Sequence, residues 1–448
     1  MSSLGREGTE SFDWFKGAKP DSDIAIDTMT RDMLIIHASE MLTLRGPRRA
    51  RAKEEMSDLS IVTDGAVAIS DGVIVDVGKT DSVLRDHDAT GMDKLDAKGK
   101  VVMPGFVDPH THVVYAGSRE FEIELKAKGK SYMDILREGG GIYRTVRDTR
   151  AASVKELFDE SYKRLESMIA HGSTTVEAKS GYGLDKEVEI RLLEIVRRLG
   201  ENLPATLIPT YLGAHAVAPE FKSKPDDYVE FIVSEVLPVV AKRKLAEFCD
   251  VFCEKGVFNP KQSKKVLLAA KQLGMKLKVH ADELHSSGGA ELAAEVGAVS
   301  ADHLVRPSDD GIMAMARKDV MGVLLPATPY ASMSKEYADG RRLIDLGVPI
   351  ALGTDLNPNC WNESMQFTIS LACHKMRMSP AEAITASTIN AAAALGVEKR
   401  VGSLEHGKRA DILVMDTPKH AHIPYKFGTN LCSQVLKDGA IVWSKQSL

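Results

Sequence analysis

The chain has 448 residues, 44% hydrophobic and 27% charged, which suits a soluble globular protein of two or three ordinary domains or one large barrel with an appendage. A net charge of -5 and a pI near 6.3 exclude a polyanionic partner such as nucleic acid, and the short basic runs Arg45–Lys53 and Lys242–Lys244 read as solvated loops. No apolar run reaches the roughly 18 residues of a transmembrane helix, so no membrane association is expected. Five scattered cysteines form no disulfide framework, so reduced thiols and a cytoplasmic location are expected.

In chain order, residues 1–28 are polar, show no signal-peptide pattern and are expected to form a disordered extension. Between about 29 and 104 the pattern is short strands and tight turns. Leu34–His37 is followed by alternating apolar residues broken by Asp64-Gly65 and Asp71-Gly72, which is hairpin chemistry. The stretch 401–448 has the same texture around Ile412–Met415 and Val435–Trp443. Neither piece is long enough to bury a core alone, so the two are expected to combine into one small β-sandwich built from both chain ends.

The intervening residues 105–400 alternate short apolar runs with helical periodicity. Strands are predicted at Val101–Asp108, Thr174–Ala178, Ala205–Leu212, Phe248–Phe252, Leu277–Val279, Ala298–Asp302, Val320–Leu325 and Ile350–Gly353. Helical segments such as Val154–Ala170 and Lys186–Leu199 separate them. Eight βα units point to an α/β fold, a (β/α)8 TIM-type barrel, with a doubly wound open sheet as the alternative. No Gly-rich dinucleotide loop follows the first strand; His110-Thr-His112 stands there instead.

In such barrels the chemistry sits at the C-terminal strand ends. Here those ends carry His110 and His112, then Lys179-Ser-Gly-Tyr182, His215, Glu254, His280 through Glu283, Asp302-His303, Thr328 and Thr354 through Asn357. Imidazoles at i and i+2 of an extended segment point the same way. With His280 and Asp355 they make a donor set suited to one zinc or iron ion. Singly, His280 is more often a satisfied core histidine and Asp355 equally reads as a helix N-cap; their joint placement favours the metal. Glu283 and His303 are candidate proton carriers, the bland readings being a first-turn helix acid and a hydrogen bond to Asp302. Lys179 raises the possibility of a carbamylated, two-metal site, but the four ligands already complete a mononuclear shell.

These motifs resemble the amidohydrolase superfamily and, within it, the imidazolonepropionase family. The resemblance rests on Pro104 to His112, Gly117-Ser-Arg119-Glu120, Gly139-Gly-Gly-Ile142, Lys179 to Leu184, Gly213-Ala-His215, Asp250 to Glu254, His280 to His285 and Asp355-Leu-Asn-Pro358. It implies a metal-dependent hydrolase, with zinc or iron, that opens 4-imidazolone-5-propanoate to N-formimidoyl-L-glutamate in histidine degradation. It implies metal ligands at His110, His112, His280 and Asp355, and substrate contacts at Arg119, Tyr132, Tyr182, His215, Glu283 and Asn357. His303 matches the position proposed to activate water, and Asp355 shares that role.

Arg119 offers a bidentate partner for the substrate's carboxylate tail, although without the resemblance an ion pair with Glu120 or Glu122 is the more natural reading. The chain departs from the bacterial pattern at Asn357-Pro-Asn-Cys360, where those members carry Gly and a small hydroxyl residue, so contacts at 359 and 360 do not transfer. A homodimer is expected. The competing functions are another amidohydrolase, such as an aromatic-base deaminase, and a non-catalytic binding protein on the same fold.

Overall fold

In the computed structural model of the chain, residues 32–87, 91–130 and 132–446 are described. The extension expected over 1–28 lies outside them. Eight parallel strands follow one another around a single sheet: β1 Phe106–Asp108, β2 Ser173–Lys179, β3 Thr206–Ala214, β4 Phe248–Cys253, β5 Lys276–Ala281, β6 Ser300–His303, β7 Met321–Leu324 and β8 Ile350–Leu352. Each predicted barrel strand has its counterpart. The reason is that a parallel strand covered on both faces reads as a short, nearly continuous apolar run.

The seam between β1 and β8 is closed just beyond the strand ends. Asp355 N–H donates to the His110 carbonyl at 3.0 Å, and His112 N–H donates to the Leu356 carbonyl at 2.8 Å. The Asp108 carboxylate accepts from the Thr354 amide at 3.1 Å and from its hydroxyl at 2.5 Å. The residues that complete the barrel are thus the His-Thr-His and Thr-Asp segments themselves.

Two further sheets use both chain ends. A four-stranded sheet orders Val73–Lys79, Gly65–Ser70, Met33–Ala38 and Asp93–Asp96. A six-stranded sheet orders Ala440–Ser444, Cys432–Lys437, Ile412–Met415, Val101–Pro104, Glu40–Leu42 and Ile61–Val62. Met33, Ile35, Val67, Ile69, Val102, Ile412, Val414 and Leu436 pack together in one apolar cluster. The Asp71-Gly72 and Asp438-Gly439 turns have positive φ at both residues (49° and 74°, 50° and 78°), the twist that two-residue hairpins require.

One expectation needs correcting. Val101–Asp108 is two strands, Val101–Pro104 in the six-stranded sheet and Phe106–Asp108 in the barrel. The break falls at Gly105, whose amide donates to Asp411 O at 2.8 Å. A Cβ at Gly105 would lie 2.3 Å from Thr174 Oγ1, so only glycine lets the chain cross there. The apolar run looked continuous because both halves are buried.

A second difference lies between β1 and β2. Three short helices, Phe121–Ala127, Tyr132–Arg137 and Ile142–Ala151, precede the predicted Val154–Ala170. This insertion forms one wall of the barrel mouth. Val154–Ala170 begins at a capping box, with Ser153 and Glu156 exchanging side-chain bonds with each other's amides.

Candidate metal centre and active site

The barrel interior beneath the mouth is ionic rather than apolar. With period two along each strand, Glu177 and Lys179 of β2, Lys278 and His280 of β5, and Ser300 and Asp302 of β6 share this interior with Asp250 of β4. Lys179 Nζ lies 2.8 Å from Asp250, 2.9 Å from Glu177 and 3.7 Å from Asp302. Lys278 Nζ lies 3.1 Å from Glu177 and donates to the Pro109 carbonyl at 2.8 Å. All five charged side chains are fully buried. Unpaired, each would cost several kcal/mol of desolvation, so mutual pairing is what makes their burial tolerable.

This network holds two histidines from behind. His110 Nδ1 is 2.6 Å from Asp302 Oδ2, and His280 Nδ1 is 2.9 Å from Asp250 Oδ2. The hydrogen bond to Asp302 fixes the His110 ring so that Nε2 is the free ligand atom, the arrangement common behind metal-bound imidazoles, while Asp250 sits beside His280 Nδ1 as a charged neighbour outside hydrogen-bond geometry. His110 Nε2, His280 Nε2 and Asp355 Oδ1 are buried without a hydrogen-bond partner among the described residues. Asp355 Oδ1 lies 3.5 Å from Nε2 of both His110 and His112. His110, His112 and His280 offer ligand atoms within 4.8 Å of one another. Orphaned polar atoms converging on one point are costly unless a cation occupies it, so the donors fit a metal ion.

Charge states agree with that use. Burial drives the imidazoles of His110, His112 and His303 well below the ordinary histidine range, leaving them neutral. His280 differs: burial lowers it, but the Asp250 carboxylate outweighs burial and raises it, so a cation at Nε2 would displace a proton. Burial lifts the Asp355 carboxyl to about 6, with Thr328 donating to Oδ2 and opposing that rise. Lys179 is held as a firmly protonated ammonium by Asp250, Glu177 and Asp302, which outweigh its burial. A carbamate at that nitrogen would face three carboxylates, so the geometry favours one metal over two.

Above these donors lies a cavity of about 220 Å³, lined by Arg119, Tyr182, His215, Glu283, His303, Asp355 and Asn357 among others. Five of the six sequence-predicted substrate contacts, together with His303, therefore share one mouth with the metal donors. The side chain of the sixth, Tyr132, lies outside the described structure. His215 stacks on His112 at 4.9 Å and 14°. Its Nδ1 is 3.1 Å from the Gly181 carbonyl, and burial lowers its pKa to about 3. The carbonyl requires Nδ1–H, so the neutral ring presents Nε2 as an acceptor. Burial keeps Tyr182 protonated, a hydroxyl donor beside His215 at a ring distance of 5.2 Å.

Two predicted contacts are not freely available. Arg119 is bound bidentately by Glu122, Nε to Oε1 at 2.7 Å and Nη2 to Oε2 at 2.9 Å, which was the other reading of that residue. The pair is nearly buried rather than superficial, and among the described residues Nη1 has no hydrogen-bond partner. The Asn357 side chain accepts from the amides of Asn359 (2.8 Å) and Cys360 (3.1 Å) and donates to the Asp355 carbonyl at 2.8 Å. Its amide shapes the turn after Asp355 and has one N–H left. Asp302 binds His110, so it is not His303's partner; His303 Nε2 faces Glu283 Oε2 at 3.8 Å.

Asp250, Glu177, Lys278, Thr328 and Lys126 have no role in the sequence reading, and Asp302 enters it only as a partner for His303 rather than for His110. A charge inside a buried apolar run, as in Thr-Thr-Val-Glu177-Ala-Lys179 or Lys276-Leu-Lys278-Val-His280, was the available signal. Lys126 bridges the insertion to the far rim, donating to Asn359 Oδ1 at 2.6 Å. The departure at Asn359 thus supplies a side-chain acceptor at the cavity edge.

Comparison with known proteins agrees with this geometry. Residues 101–442 match the model of the amidohydrolase family. Imidazolonepropionase of Geobacillus kaustophilus is 51% identical over 417 residues, covering 92% of this chain and 98% of that one. Imidazolonepropionase of Alkaliphilus metalliredigens is 46% identical over 420 residues, covering 93% and 99%. Among solved structures, an adenosine deaminase from Xanthomonas campestris with bound zinc superposes with a TM-score of 0.63 over 92% of each chain at 19% identity, a likeness of fold alone. With near-complete coverage at about half identity, the chain belongs to the imidazolonepropionase family of the amidohydrolases.

Proposed function

We propose that this protein hydrolyses the ring C–N bond of 4-imidazolone-5-propanoate to give N-formimidoyl-L-glutamate, a step of histidine degradation, using one zinc or iron ion held by His110, His112, His280 and Asp355. The observation that carries the reading is the convergence of orphaned buried donors with Arg119, Tyr182 and His215 in one cavity. A metal bound there supplies the charge that acidifies water and polarises a carbonyl.

The protein's own groups do the rest. Arg119 Nη1 and the Tyr182 hydroxyl are donors suited to the propanoate tail. His215 Nε2 accepts from a ring N–H, which orients the heterocycle. Asp355 Oδ1 takes a proton from the attacking water as the water oxygen bonds to the ring carbonyl carbon, with His303 as the second acceptor. Glu283, whose carboxyl burial lifts to about 8, carries a proton at neutral pH and delivers it to the ring nitrogen as the C–N bond breaks. Between the two proton donors left open by sequence, Glu283 or His303, this supports Glu283, because buried His303 is neutral.

The small sandwich is proposed to comprise 29–104 plus 401–448 and the catalytic barrel 105–400. A cytoplasmic location and a homodimer complete the proposal; among the described residues no helix is long and apolar enough to cross a membrane. The test is incubation of metal-replete protein with freshly generated imidazolonepropanoate, following loss of its absorbance, beside a panel of aromatic bases. Ring opening is expected. Deamination without ring opening would replace the reading with a deaminase, and a protein that neither turns over substrate nor takes up metal would leave only a binding role.

A further inference from the structure

Glu254 directly follows β4, closing the Asp250-Val-Phe-Cys-Glu254 motif, and the proposed mechanism does not use it. Its side chain is fully buried. Oε2 accepts from the Leu284 amide at 2.9 Å and the His285 amide at 3.3 Å. Oε1 accepts from the Lys255 amide at 2.9 Å, from the Ser287 hydroxyl at 2.8 Å, and sits 3.0 Å from His285 Nδ1. Four of these five partners belong to residues 284–287, immediately after Glu283.

The upstream side of Glu283 is anchored separately. Asp282 has a left-handed backbone with φ of 52°. Its carboxylate accepts from the amides of Ser287 (2.7 Å), Gly289 (3.2 Å) and Ala290 (2.9 Å). Those bonds serve the start of the helix Gly289–Val296, so Glu254 is not needed as its cap. What lies between the two anchors is Glu283. Its carboxyl reaches the cavity 3.8 Å from His303 Nε2 and is 20% exposed.

We propose that Glu254 is a positioning residue for ring opening: by clamping 284–287 it holds the Glu283 carboxyl at the distance from His303 and the substrate nitrogen that proton delivery needs. The inference rests on the reading of Glu283 as proton donor. A carboxylate suits this task because two oxygens gather several amide and hydroxyl donors at once, whereas an amide side chain would turn an N–H toward donors. Proton transfer demands heavy-atom separations near 3 Å, and a displacement of about 1 Å can cost a hundredfold in rate.

The test is a double-mutant cycle on the metal-replete full chain, with Glu254→Gln, Glu283→Gln and the pair, reading kcat, KM, metal content and Tm. Glu254→Gln is expected to lower kcat about tenfold or more, with KM within about threefold and metal content unchanged. In the Glu283→Gln background the same change is expected to cost almost nothing, because there is no longer a donor to position. Ser287→Ala, which removes one of the five bonds, gives a smaller loss that also vanishes in that background, and serves if Glu254→Gln fails to fold. Full kcat in Glu254→Gln overturns the proposal, and so do losses that multiply in the double variant. If Glu283→Gln itself retains full rate, the proton-donor reading fails first and the positioning role falls with it. If Glu283→Gln is slow but the losses multiply, only the positioning role is lost.

Discussion

Asp302 illustrates how much of this site is built behind the ligands. It binds His110 Nδ1 at 2.6 Å and is held by Ser300, Lys179 and Lys278, so the imidazole is fixed before any metal arrives. Asp302→Asn keeps the shape but removes the charge. Metal affinity is expected to fall about 10- to 100-fold, measured by chelator competition. In the proposed mechanism Glu283 carries the pH dependence. Its folded pKa is raised by burial to about 8, and the protonated form is the one required, so activity is present below that value and lost as pH rises through it. The expected kcat/KM profile falls on the alkaline side. Glu283→Gln should lower the plateau about 10²- to 10⁴-fold and abolish that limb; an unchanged limb in the variant would assign it elsewhere.

At the scale of elements, the stretch from Val101 to His112 does three jobs within twelve residues. Val101–Pro104 pairs antiparallel with Ile412–Met415, Phe106–Asp108 opens the barrel, and His110 to His112 close it against Asp355 and Leu356. Gly105 is the pivot. Gly105→Ala would drive a methyl into Thr174 and is expected to destabilise the fold by about 1–3 kcal/mol, read from the denaturant midpoint. The Thr174→Ala background should return part of that loss. Three of the four proposed metal donors, His110, His112 and Asp355, sit on a seam held by backbone hydrogen bonds, so a strained pivot is also expected to loosen metal binding before global unfolding.

For the molecule as a whole, Tyr425 (74% exposed) and Phe427 (64%) are large apolar side chains left uncovered near the helix Met365–Met376, where Phe427 meets His374 at 6.1 Å. Adjacent exposed aromatics mark surfaces that associate. Light scattering is expected to give twice the chain mass of 48.8 kDa. Tyr425→Ser combined with Phe427→Ser should return a single chain, and a single-chain mass for the unaltered protein would dismiss the homodimer.

Eight buried strands and their polar ends were legible in the chain because parallel strands covered on both faces are mostly apolar runs, even where Glu177, Asp250 or Lys278 interrupts one, so His, Asp and Glu at their ends are conspicuous. The same periodicity hid the change of sheet at Gly105, since burial on either side of it is equally complete. Lys179 stood out from sequence as a possible second-metal ligand, but only the fold placed three carboxylates around it and made it a charged strut. Arg119 was legible as a cation near the first strand end; that Glu122 occupies one edge of its guanidinium depended on a helical turn closing at the mouth. His110-Thr-His112 needed no structure to suggest a metal pair. That Asp302 stands behind His110, that Asp355 Oδ1 is left bare in front of it, and that Glu254 clamps the Glu283 segment were decided by tertiary contacts between strands far apart in sequence, because strand patterning encodes which side chains turn inward but not which of them meet.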